Sequence, residues 1–187
     1  MSHTIYKMGH PIVMTPARRV NPAEFNTPQL QTLIDDLFAA QRHFKGVGIA
    51  APQIGVAMQV AVLGFEKNSR YPNKSPIANT VLINPEVEHL TDEKVEDWEG
   101  CLSVPGLRAP VLRAVHIRCR YQDVTGQHHE LEAHDFHARV IQHEVDHLAG
   151  IVYPARIVDF TKFGFEDSLP EYAYLRESPE VIVSYVD

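Results

Sequence analysis

The sequence predicts an α+β fold. One amphipathic helical pattern stands early in the chain and a second near its end, and strand-like segments fill the stretch between them. Strands and helices therefore do not alternate, as a doubly wound sheet would require. With 187 residues, 44% of them hydrophobic, the chain suits one globular domain over residues 1–187, with 158–187 as a C-terminal tail.

The elements follow in order. Residues 1–26 read as an extended arm, because Pro11, Pro16 and Pro22 prevent a long helix. Thr27 and Pro28 form a helix start, with threonine as N-cap and proline at the first helical position. Leu30, Leu33, Ile34, Leu37 and Phe38 then mark one apolar face of a helix running to about His43. Residues 46–65, GVGIAAPQIGVAMQVAVLGF, carry no charge and are long enough to span a bilayer. Their glycines, Pro52 and two glutamines interrupt that pattern, so the stretch reads as a buried turn followed by a core strand.

Residues 58–65 and 80–90 read as strands joined by a polar loop, and a charged segment, Thr91 to Glu99, leads into Gly100-Cys101-Leu102-Ser103. Val111 to Asp123 and Gln127 to Ala133 read as two strands of a hairpin around Val124-Thr125-Gly126. The hairpin delivers the chain to a second helix, placed at 136–149 with Asp135 as N-cap and Gly150 as the left-handed stop. Beyond Gly150 the pattern is irregular. Asp159, Glu166, Asp167, Glu171, Glu177, Glu180 and Asp187 outnumber Arg156, Lys162 and Arg176, and Val181 to Val186 suggests a last strand.

Composition removes several function classes. The net charge of −7 argues against a broad nucleic-acid surface, which needs clustered Lys and Arg. Two cysteines are too few for a secreted disulfide scaffold, and residues 1–14 lack the apolar core of a signal peptide, so the cytoplasm is the expected compartment.

Chemistry concentrates in the second helix. His143 and His147 are four residues apart and stand one turn above each other, so both imidazoles can reach one metal ion with Glu144 alongside. In a chain with eleven histidines such a pair can be chance, and a third ligand decides. Cys101, Cys119 and many carboxylates are available. Cys119 falls in an apolar strand pattern and reads as a small buried hydrophobe, whereas Cys101 follows a glycine in a segment that interrupts the strand pattern.

Three stretches taken together, GVGIAAPQ (46–53), EGCLS (99–103) and QHEVDH (142–147), resemble in order the signature motifs of the peptide deformylases. The likeness covers about residues 5–165. It implies small antiparallel sheets packed around a central helix that carries HEVDH. It also implies hydrolysis of the N-formyl group from the first methionine of new polypeptides, releasing formate. Carried over, Cys101, His143 and His147 bind one divalent metal, commonly ferrous iron, with zinc, nickel or cobalt able to replace it. Water held by the metal attacks the formyl carbon, Glu144 acts as general acid and base, and Gln53 with the Leu102 N–H stabilises the oxyanion. Gly46, Val47 and Gly48 would pair with an extended peptide, and Val47, Phe136 and Val140 are candidates to line a methionine pocket.

The expected partners are N-formylmethionyl peptides and nascent chains, with transient proximity to the ribosome but no basic docking tail, and no membrane. Asp146 reads as a structural neighbour paired with Arg113, at a position resembling an arginine with that role in the family. Asp135 and His137 depart from the pattern, since related sequences often carry glycine and an apolar residue or proline there. Two alternatives stand beside this reading: a zinc peptidase of the HExxH type, and a binding module without turnover.

Overall fold

The computed structural model describes residues 4–68 and 73–169. A short helix α1 (Pro11–Met14) interrupts the N-terminal arm, and the first long helix is α2 (Pro28–His43). Thr27 caps α2 as expected, its side-chain oxygen accepting from the Leu30 N–H at 3.3 Å. Strands β1 (Gly48–Ala50), β2 (Val60–Phe65), β3 (Ile77–His89), β6 (His116–Gln122) and β7 (His128–His134) form an antiparallel sheet in the order β1-β2-β3-β6-β7. A second antiparallel sheet joins β4 (Lys94–Cys101), β5 (Val104–Ala114) and the two-residue β8 (Gly164–Phe165). Helix α3 (Asp135–Leu148) runs between the two sheets.

The period-two rule explains how β2 serves two helices. Val60 and Val62 face α2 and pack with Leu30, Ile34 and Leu37, while Leu63 turns to the opposite face and packs with Ala138 and Ile141 of α3. Buried on both faces, this strand is an apolar run without alternation. At roughly 1.5–3 kcal/mol for each large apolar side chain, the two clusters fix α3 in place. Tyr153, Val111 and Val152 form a third cluster on the far side, where Cys101 also lies.

Several expectations need correction. The segment from Val111 to Asp123 is not one strand: the chain bends at Val115, whose N–H donates to the Glu93 carbonyl and whose carbonyl accepts from Asp135. The chain thereby leaves one sheet and enters the other. The charged segment before Gly100 is strand β4, paired with β5 along its length. The helix cap is His134, without a side-chain capping bond, and Asp135 is the first residue of α3 at φ +48°. β7 runs straight into the helix with no linker, so Asp135 itself makes the turn, in the left-handed region where glycine is easiest. Gly150 does stop α3 at φ +74°. After it, residues 153–156 and 160–162 are 3-10 turns, and β8 pairs with Leu107 and Arg108 of β5, giving order to a segment expected to be irregular. The strand expected at 181–186 lies outside the described residues.

Backbone bonds tie the arm to the motif segments. Tyr6 donates to the carbonyl of Gln53, Met8 to that of Ser103, and Ala17 to that of Leu148. Asn84, at a bulge in β3, holds Val20 through both its backbone groups. Among the described residues no helix is long and apolar enough to cross a membrane.

Candidate metal centre

The three motif segments converge on one pocket. Its lining includes Gly46, Val47, Gly48, Gln53, Cys101, Leu102, Phe136, Val140, His143 and Glu144, with His147 buried directly behind Cys101. Each element supplies its part for a local reason. α3 presents His143 and His147 on one face, β4 ends at Cys101 in a tight turn to Val104, and β1 is the edge strand beside them.

The ligand atoms of Cys101, His143 and His147 lie within 4.8 Å of one another, and Cys101 Sγ is 3.1 Å from His147 Nε2. One sulfur and two imidazoles around a tetrahedral ion stand roughly 3.3–3.6 Å apart, given bonds of about 2.3 and 2.0–2.1 Å. The donor set fits a single soft-to-borderline divalent cation. Cys119, the other cysteine, is buried in β6 and unpaired, so no disulfide competes for Cys101.

Charge in the site is arranged by burial and pairing. Burial alone would raise the Cys101 thiol, but His147 and His143 outweigh it and hold the group well below the ordinary thiol range. Burial likewise opposes a charge on His143, yet Cys101 and Glu99 together raise it well above the usual imidazole value. Its Nδ1 is 2.9 Å from Glu99 Oε2, which leaves Nε2 as the free ligand atom. Glu144 is the exception: burial pushes its carboxyl up to about 7, against the opposing effect of the two histidines. Its Oε2 is buried without a hydrogen-bond partner in the described structure. A carboxyl poised near neutrality beside a ligand cluster is suited to carry a proton.

Glu99 joins this cluster to the scaffold. It receives Nε and Nη2 of Arg113 at 2.9 and 3.0 Å, Nη1 of Arg139 at 2.8 Å and the imidazole of His143. Burial would raise its carboxyl, but His143 and Arg113 outweigh that and hold it below the ordinary carboxylate range. Arg113 also binds Asp146, as expected, and Arg156 adds two further bonds to the same carboxylate at 2.6 and 3.1 Å. Gln53 is 2% exposed: its Oε1 accepts from the Ala50 N–H at 2.9 Å, and its Nε2 points to Ser103 Oγ at 3.2 Å and Cys101 Sγ at 3.5 Å.

Five lining residues were not among the expected site residues: Lys45, Trp98, Glu99, Gly100 and Arg139. Glu99 and Gly100 belong to the EGCLS stretch itself. Lys45 immediately precedes GVGIAAPQ and Trp98 precedes EGCLS, so motif flanks were the available signal. Arg139 stands one helical turn before His143, and that spacing was its signal.

A Cys-His-His cluster with a buried carboxyl beside it, on a helix packed between two antiparallel sheets, is a candidate metal centre in an α+β fold. The polypeptide deformylase family model matches residues 2–163, and the chain belongs to that family. Peptide deformylase 1 of Bordetella pertussis is 52% identical over 169 residues, covering 90% of this chain and 95% of the relative. Peptide deformylase 1 of Nitrosomonas europaea is 47% identical with the same coverage. Among solved structures, the class I type b peptide deformylase of Acinetobacter baumannii bound to Met-Ala-Ser superimposes with a TM-score of 0.81 at 36% identity. That likeness covers 84% of this chain and 99% of the other.

Proposed function

We propose that this chain hydrolyses the formyl group from N-formylmethionyl peptides, giving formate and a free amino terminus. The observation that carries the reading is the meeting of a Cys-His-His ligand set and a carboxyl raised to about 7 in a pocket beside an edge strand. The tripeptide Met-Ala-Ser, which the Acinetobacter baumannii relative binds, has the form of the product.

Cys101, His143 and His147 hold the metal, for which we propose ferrous iron. When bound, the ion acidifies water and polarises a carbonyl oxygen. Glu144 takes the proton of the attacking water and returns it to the leaving amine. Gln53 Nε2, its amide oriented by the Ala50 N–H, and the Leu102 N–H donate to the oxyanion as charge develops. Gly46, Val47 and Gly48, leading into and opening the edge strand β1, receive the peptide backbone. Val47, Phe136 and Val140 enclose the methionine side chain, with the stem of Arg139 beside them.

The test is formate release from formyl-Met-Ala-Ser by protein purified without oxygen, with metal content measured on the same sample. Release with about one equivalent of iron supports the reading. A protein that binds metal but cleaves internal peptide bonds without releasing formate is a peptidase, and the proposal fails.

A further inference from the structure

Arg139 is 6% exposed, and its guanidinium makes a set of contacts that the proposed chemistry does not use. Nη1 donates to Glu99 Oε1 at 2.8 Å and to the Val111 carbonyl at 2.7 Å, with the Asp97 carbonyl at 3.3 Å. Nη2 donates to the Val95 carbonyl at 2.6 Å. One side chain on α3 is thus pinned to alternate positions of β4 and to its partner β5.

The metal ligands are split across the same two elements. His143 and His147 belong to α3, and Cys101 belongs to β4, two residues beyond Glu99. Arg139 and His143 stand one turn apart on the helix and both grip Glu99, one at each oxygen. The planar fork allows little play, because its donors have fixed directions and several are engaged. A lysine, with a single flexible ammonium, cannot reproduce that set.

We propose that Arg139 is a positioning residue: it sets the spacing between α3 and β4, holds the three ligands at binding distance, and slows loss of the metal. The inference rests on the metal-site reading of Cys101, His143 and His147. Arg113 has a different part, since it joins the Glu99 carboxylate to Asp146 from β5. Methionine at this position keeps an unbranched apolar stem and removes the fork.

The test uses the full chain loaded with cobalt, whose visible spectrum reports ligand geometry and thiolate bonding. Wild type, Arg139→Met, Arg139→Lys and the core control Val62→Ala are compared, with thermal stability measured on each. Val62 packs with α2 and makes none of the bonds to Glu99, so its truncation weakens the core while leaving the Arg139 contacts intact. The expected result is a changed cobalt spectrum and at least tenfold faster release to excess chelator for Arg139→Met, a smaller change for Arg139→Lys, and wild-type behaviour for Val62→Ala.

If Arg139→Met does not fold, Arg139→Lys decides by the same two readouts. Wild-type spectra and release rates in the Arg139 variants overturn the inference, as does equal acceleration in Val62→Ala. A wild-type protein that takes up no cobalt refutes the metal-site reading itself, a separate result.

Discussion

Gly48 of β1 lies so close to Glu144 of α3 that a Cβ on the glycine would stand 2.8 Å from the carboxyl carbon and 2.9 Å from Cγ. The glycine is therefore the space into which the acid fits. Gly48→Ala should displace Glu144 and lower formate release by about 10²-fold or more while leaving bound metal unchanged. Metal analysis alongside steady-state rates checks this, and a fully active Gly48→Ala variant would show that the carboxyl tolerates displacement.

Glu144→Gln should keep the metal and reduce kcat by about 10²–10⁴-fold, since it removes a proton carrier and no ligand. The same substitution predicts a pH effect on the metal-stripped protein. The folded carboxyl titrates at about 7 against 4.5 in the unfolded chain, so the folded state binds more protons between those values. Its contribution is present below pH 4.5 and lost as pH rises through 7. Relative to wild type, stripped Glu144→Gln should gain stability across that window, by up to roughly 3 kcal/mol. Parallel pH profiles of the two proteins would refute the buried acid.

The two cysteines should differ sharply in reactivity once metal is removed. Cys101 is held as a thiolate by its histidines, whereas burial pushes the Cys119 thiol up to about 12. Brief alkylation near pH 7 after chelation should label Cys101 alone, as read by peptide mass spectrometry, and bound metal should protect it. Cys101→Ser should release metal faster than wild type, because an alcohol is a poorer ligand than a thiolate.

Asp135 begins α3 at φ +48°, a conformation that costs an L-residue roughly 1 kcal/mol. Asp135→Gly should therefore be more stable than Asp135→Asn, a comparison that removes the charge from both sides. Denaturant titration of the pair measures the difference, and the reverse order would mean that the turn carries no strain.

What was legible in the sequence was local or periodic. Thr27-Pro28 capped its helix, Gly150 ended another, and His143 and His147 shared a face because helix geometry requires it. Cys101 entered as a ligand only through the resemblance of its segment, and the structure brings it to 3.1 Å from His147. Strand β4 was hidden because Lys94, Glu96 and other polar groups along it mimic a loop, and its identity depends on pairing with β5. Arg139 and Glu99 were hidden for a related reason. Charged residues in isolation read as surface, and only a contact between positions 40 apart turns them into a buried pair.

The backbone bonds from Tyr6 to Gln53 and from Met8 to Ser103 give the structure a direction in time. During synthesis the arm emerges first and its partners follow much later. Of the ligands, Cys101 appears well before His143 and His147. The pocket cannot close until Leu148 has left the ribosome, because the last two ligands and the acid arrive together on one helix. A chain interrupted before that helix has both sheets begun, yet it holds neither the acid nor a pair of ligands. Metal capture is thus a late event, tied to completion of α3.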